Sequence, residues 1–154
     1  MGRVSTYLNF SSHTEEAFEF YRTVFGGEFI GGITRFGDSP MPEDAPPMSE
    51  EDKNLVMHVA LEIMGGHILM GTDAPESMGF HIHPGNNIFI NLEPDSREET
   101  KRLFDALSEG GLIEQELDDM FWGSYYGCLC DRFGVQWMLN CNEKPMTEDG
   151  PESD

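Results

Sequence analysis

Basic residues are scarce in this chain. Nine Lys and Arg stand against 29 Asp and Glu, a formal net charge of −20 at pH 7. Nucleic acid and anionic membrane surfaces are held by clustered cations, so neither is expected as a partner. Long apolar runs are also missing, and no stretch approaches the length of a membrane span. The opening "MGRVSTYLNF" has no apolar core followed by a cleavage site, so no secretory signal is read there. Only three cysteines occur, and three cannot all pair with one another. A cytoplasmic protein with reduced thiols is expected. Chemical signatures are equally sparse: there is no G-x-S-x-G elbow, no P-loop and no spaced pair of catalytic carboxylates.

What the chain does have is one grammar used twice. "VSTYLNF", "SSHTEEAFEFYRTVFGG" and "EFIGGITRFG" read as strand, helix and strand. "NIFINLE", "PDSREETKRLFDALSEGG" and "LIEQELDDMFWG" repeat that order. In the first helix Ala17, Phe20, Tyr21 and Val24 form one apolar stripe, and in the second Thr100, Leu103, Phe104 and Leu107 do so. Ser12 with Glu15, and Ser96 with Glu99, fit the S-x-x-E capping box, and a Gly pair closes each helix. Two further strands follow in each half: "LVMHVALEI" with "HILMGTD", then "SYYGCLCD" with "VQWMLNC". The expected fold is α+β, two βαβββ modules (4–73 and 87–141) forming a curved mixed sheet around a cleft. With 154 residues, the two halves are expected to share one domain. The segment 38–53, with four prolines and many acids, reads as a mobile loop, and 143–154 reads as a disordered acidic tail.

Strand parity sorts the side chains into two faces. Leu8 and Phe10 should face the first helix, leaving Ser5, Tyr7 and Asn9 toward the cleft. Ile88, Ile90 and Leu92 should face the second, leaving Asn87, Phe89 and Asn91. Met70 and Thr72 point to the cleft from "HILMGTD", and Gln136, Met138 and Asn140 from "VQWMLNC". Trp137 and Leu139 face the helix. Tyr126, Cys128 and Cys130 share the cleft face of their strand, while Cys141 falls on the opposite one. Such a lining, rich in aromatic rings and sulfur with uncharged amides, suits a small organic molecule better than an ion.

"YLNF…EEAFEFYRTVFGGE", "TRFGD", "VMHVALEI", "ILMGTD", "LFDALSEGG" and "DMFWGSYYGCLCDRFGVQWMLNC" together resemble the PhnB-like branch of the vicinal oxygen chelate superfamily. That superfamily includes glyoxalase I, extradiol dioxygenases and the bleomycin- and fosfomycin-resistance proteins. The resemblance covers most of residues 5 to 141 and implies a homodimer. It also implies metal ligands on the first and last strand of each module. Carried onto this sequence, those places hold Ser5, Met70, Asn87 and Met138, a poor set for ions that seek imidazole or carboxylate, so no metal and no cofactor are expected. Some relatives carry a demethylubiquinone methyltransferase label, yet no Gly-rich strand–loop–helix turn is present to hold adenosylmethionine.

Individual candidates have two readings each. His58, on the cleft face with Val56 and Ala60, is a candidate general base or a structural hydrogen-bonding histidine. His81 and His83 could chelate, or sit in a solvated linker; His67 reads as a surface residue. Asp73 and Arg35 could hold a polar substrate group, or serve as turn cap and ion pair. Cys128 and Cys130 read as small buried hydrophobes, since few cations are present to activate a thiol. Three functions stay open: metal-free binding of a small molecule, a metal-dependent lyase, isomerase or dioxygenase, or a structural or regulatory dimer with a vestigial pocket.

Overall fold

The computed structural model describes residues 2–144. The chain divides into two compact units, with the break between His83 and Pro84. Each unit carries one four-stranded mixed sheet. In unit 1 the elements are β1 (Thr6–Phe10), α1 (Thr14–Phe25), β2 (Thr34–Arg35), α2 (Glu50–Asn54), β3 (Val56–Glu62) and β4 (Ile68–Asp73). In unit 2 they are β5 (Ile90–Leu92), α3 (Arg97–Ser108), β6 (Leu112–Asp119), β7 (Tyr125–Cys130) and β8 (Gln136–Cys141). The strand orders are β1-β4-β3-β2 and β5-β8-β7-β6, the same path taken twice. First and last strands pair parallel in both units, and the remaining neighbours pair antiparallel. The α+β fold of two like modules is therefore as the sequence reads, with each module carrying a four-stranded mixed sheet of its own where one curved sheet is expected.

Each helix buries its apolar stripe on one face of its own sheet. Phe18, Tyr21 and Val24 of α1, and Leu103, Phe104 and Leu107 of α3, are almost fully buried. Close approach depends on glycine: a Cβ on Gly71 of β4 would stand 2.5 Å from the Phe18 ring, and one on Gly127 of β7 would stand 2.9 Å from Phe104. Trp137, Leu139 and Cys141 line the helix-facing side of β8 and are buried, as parity requires.

Four local expectations need correction. The Ser12–Glu15 box does not form, because a tertiary partner displaces it. Asp73 Oδ1 accepts the Thr14 N–H at 3.0 Å, and Glu15 is drawn away to Arg35. In unit 2 Ser96 does cap, its Oγ accepting the Glu99 N–H at 3.1 Å, but Glu99 itself bonds Arg102. Ile88 does not face the helix; it is 78% exposed. The parallel register sets Ile90 against Trp137, so residue 88 would need a partner at Val135, where the chain has already entered the β7–β8 turn. Within 38–53, the last residues form the start of α2, capped by Ser49 Oγ accepting the Asp52 N–H at 3.1 Å. Ser77 also donates to Asp52 at 2.9 Å. Apart from residues 143 and 144, the expected tail lies outside the described residues.

Candidate functional site

With the helices packed on one side, each sheet leaves a free face. On unit 1 that face carries Tyr7, Asn9, His58, Ala60, Met70 and Thr72, held in line by the register of Tyr7 against Met70 and of Ala60 against Met70. Tyr7 is 46% exposed, and its hydroxyl lies 3.3 Å from His58 Nδ1. Thr72 is already engaged: its hydroxyl donates to the backbone carbonyls of Val56 and Asp73 at 3.3 Å. Ser5 stands just before β1. Of the candidates here, Tyr7, His58 and Met70 come together as neighbours, and Asn9 sits exposed further along β1.

On unit 2 the free face carries Asn91, Tyr126, Cys128, Cys130, Gln136, Met138 and Asn140. The register sets Asn91 and Cys128 against Met138, Tyr126 against Asn140, and Cys130 against Gln136. Met138 thus occupies the same place in its sheet as Met70 does in the other. Phe89 is half-buried just before β5, while Asn87 is exposed in the irregular stretch leading to it. The side-chain oxygens of Gln136 and Asn140 are buried and find no hydrogen-bond partner among the described residues. Buried polar atoms are normally paired, so two on one strand face mark it as unfinished.

The cysteines are not poised to react. Burial, with Asp131 and Glu114 nearby, pushes the Cys130 thiol above its ordinary value, which favours the inert protonated form. Burial likewise raises the Tyr126 hydroxyl, with Cys128 and Glu114 adding to it. Cys128 is 9% exposed and Cys141 1%, on opposite faces of the sheet.

The remaining candidates take structural roles. Arg35 makes a bidentate pair with Glu15 at 3.0 and 2.9 Å and donates to the Asn54 carbonyl at 2.8 Å. Asp73 is 3% exposed and accepts two backbone N–H groups, from Thr14 and from Val56 at 2.8 Å. His67 bonds Thr6 at 2.8 Å. His81 and His83 stack edge to face with His81 3.4 Å from Glu76, and both are exposed. Sequence reasoning missed Asp131, which accepts from the Phe133 and Val135 backbone and from the Trp137 indole at 2.9 Å. Its signal was the Asp preceding "RFG", an Asx-turn position. Glu114 was missed because it lies where the β6–β7 register slips between Ile113 and Gln115, and parity cannot place it.

The residues that the resemblance assigns to metal ligands, Ser5, Met70, Asn87 and Met138, offer a hydroxyl, an amide and two thioethers, a set that does not fit a transition metal. Among the described residues, no three or more of His, Cys, Asp and Glu form a group able to hold one. No helix among them is long and apolar enough to cross a membrane.

Known proteins share this arrangement. Residues 2–140 match the model of the family described as 3-demethylubiquinone-9 3-methyltransferase. The crystal structure of protein PA1353 from Pseudomonas aeruginosa is 35% identical, with a TM-score of 0.77, and covers 94% of this chain and 100% of its own. The PhnB protein from Bacillus cereus is 25% identical at a TM-score of 0.69, over 91% of this chain and 99% of its own. A glyoxalase/bleomycin resistance protein/dioxygenase family enzyme from Burkholderia phytofirmans shares the fold at 19% identity and a TM-score of 0.59, over 90% of this chain and 98% of its own. The chain belongs to the family described as 3-demethylubiquinone-9 3-methyltransferase, is similar to a PhnB protein, and shares its fold with a glyoxalase/bleomycin resistance protein/dioxygenase family enzyme.

Proposed function

We propose that this protein binds a small organic molecule without a transition metal, through the free faces of its sheets, and works as a homodimer as the family resemblance implies. The observation that carries the reading is the pair of buried, unpartnered amide oxygens on β8, flanking Met138. A ligand donating to them would remove an unfavourable desolvation, and the thioether, thiol and phenol beside them offer apolar contact.

The activity in the family's description finds little support in this chain. Adenosylmethionine is usually held where a Gly-rich turn opens a helix. Here the turns before α1 and α3 contain no glycine, and the helix starts are already occupied by Asp73 and Ser96. Among the described residues, donors for a metal-dependent reaction are likewise not gathered, and His58 is engaged with Tyr7.

Metal analysis and a thermal-shift screen test the proposal together. The purified protein should carry no stoichiometric transition metal, and at least one organic metabolite should raise its melting temperature after chelator treatment. A stoichiometric Zn, Ni, Fe or Mn would overturn the metal-free reading. A silent screen would leave the vestigial-pocket alternative in its place.

A further inference from the structure

The free face of unit 2 has a definite electrostatic sign. None of β5, β6, β7 and β8 contains a lysine or an arginine. Of the unit's five cations, Arg97 is committed to Asp119 at 2.7 Å and lies over Tyr125, Lys101 is paired with Asp105 and Arg102 with Glu99, Arg132 lies over the Phe133 ring in the β7–β8 turn, and Lys144 follows β8. Tyr125 pairs with Cys141 on the helix-facing side, so Arg97 serves that side. Negative charge, by contrast, is close to the free face: Glu114, at an exposed position of β6, acts on both Tyr126 and Cys130.

The hydrogen-bonding demand has the same sense. What is buried and unpartnered on this face is two acceptors, Gln136 Oε1 and Asn140 Oδ1. They belong to residues four apart on one strand, which at ~3.3 Å per residue sets them ~13 Å apart. Between them lies Met138, with Cys128 beside it.

We infer that this face takes an elongated organic cation, with N–H groups at both ends separated by an apolar middle, the chemistry of a long diamine or polyamine. The inference rests on the reading of this face as a small-molecule site. Each end would donate to one amide oxygen, the methylenes would lie on Met138 and Cys128, and the Tyr126 ring would offer its π face to the charge. A phosphonate or carboxylate would meet acceptors, and none of the four strands would supply it a cation.

The test compares three molecules of one length by calorimetry on the full chain: diaminodecane, decanediol and sebacate, with putrescine as the short diamine. Diaminodecane should bind, and putrescine and sebacate should not. Gln136→Leu and Asn140→Leu should each weaken diaminodecane by about tenfold, the loss of one hydrogen bond to a charged donor. Glu114→Gln, at an exposed position, should weaken it several-fold without touching the fold. If sebacate or decanediol binds as tightly as the diamine, the ligand class is wrong and the binding reading stands. Diamine affinity unmoved by all three substitutions would mean collection by the acidic surface, and overturns the inference. If none of the three binds while the metabolite screen finds a compound dependent on Asn140, only the cation inference falls. If both are silent, both fall.

Discussion

Units 1 and 2 share one strand path but fasten it with different polar groups. In unit 1 a buried carboxylate, Asp73, reaches from the end of β4 to the first turn of α1 and to the start of β3. In unit 2 the helix is capped locally by Ser96, and the buried carboxylate is Asp131, which closes the β7–β8 turn and holds the Trp137 indole. The free faces differ in the same spirit. Unit 1 presents a satisfied Tyr7–His58 pair, whereas unit 2 presents two amide oxygens with nothing to accept from. A shared template thus fixes where strands go, and the polar residues that complete it decide which free face is left with unmet hydrogen bonds; the unpartnered oxygen of unit 1, Thr14 Oγ1, lies on its helix instead.

Removing the two buried carboxylates tests that contrast most strongly. Asp131→Ala strands three N–H donors and should cost about 3–5 kcal/mol; Asp73→Ala strands two and should cost about 2–4 kcal/mol, each by urea unfolding. If Asp73→Ala is the more damaging, the helix tie rather than the turn is the keystone of the fold. Fluorescence of Trp137 should shift in Asp131→Ala and stay unchanged in Asp73→Ala.

The two close helix–sheet contacts sharpen the comparison at smaller scale. Gly71→Ala and Gly127→Ala should each cost about 1–3 kcal/mol by overpacking. In unit 1 the clash is with side chains, Phe18 and the Thr14 methyl. Adding Phe18→Leu should therefore recover part of the loss. In unit 2 the backbone of Gln115 and Leu117 also stands 3.0 Å from the new methyl, so adding Phe104→Leu should recover little. Equal rescue in both units would mean the strand backbone yields more easily than these contacts suggest.

Much of this was legible before any coordinates. Helix stripes and strand alternation gave the α+β fold, because burying one face of each element forces that periodicity. Face assignments for β4, β7 and β8 followed from parity wherever pairing is continuous. They failed where pairing stops: Ile88 lies beyond the end of β8's ladder, and Glu114 lies in a bulge. Caps were legible only when local. Ser96 sits next to its helix, whereas Asp73 is 59 residues from the N–H it accepts, and no window of sequence reveals such a partner. Arg35 and Asp73 looked like substrate groups because their types and positions suit either role; only their bond partners decide.

Surface ion pairs should separate the units least. Arg35→Lys in unit 1 and Arg97→Lys in unit 2 each lose a bidentate fork to a half-exposed carboxylate, and each should cost no more than about 1 kcal/mol. Arg97 also lies 4.0 Å above the Tyr125 ring, so its replacement should be the larger of the two.

The pH profile should then distinguish a limb common to both units from one belonging to unit 2 alone. Hydrogen bonds from arginine hold Glu15 in unit 1, and Glu99 and Asp119 in unit 2, below their ordinary values. A lowered folded-state pKa stabilises above the unfolded value and is lost as pH falls through the folded one, so both units should weaken below about pH 4.5. These carboxylates are nearly half exposed, and the slope should be shallow. On the alkaline side the raised Cys130 thiol acts in the opposite sense. Below pH 9.0 it is protonated in both states and contributes no slope; above 9.0 the unfolded chain loses the proton first, and stability falls. Urea midpoints in reductant between pH 9.0 and 10 should decline in the wild-type protein, and Cys130→Ser should flatten that decline while leaving the acid limb intact. A decline that survives Cys130→Ser would mean that the Cys130 thiol is not what governs it.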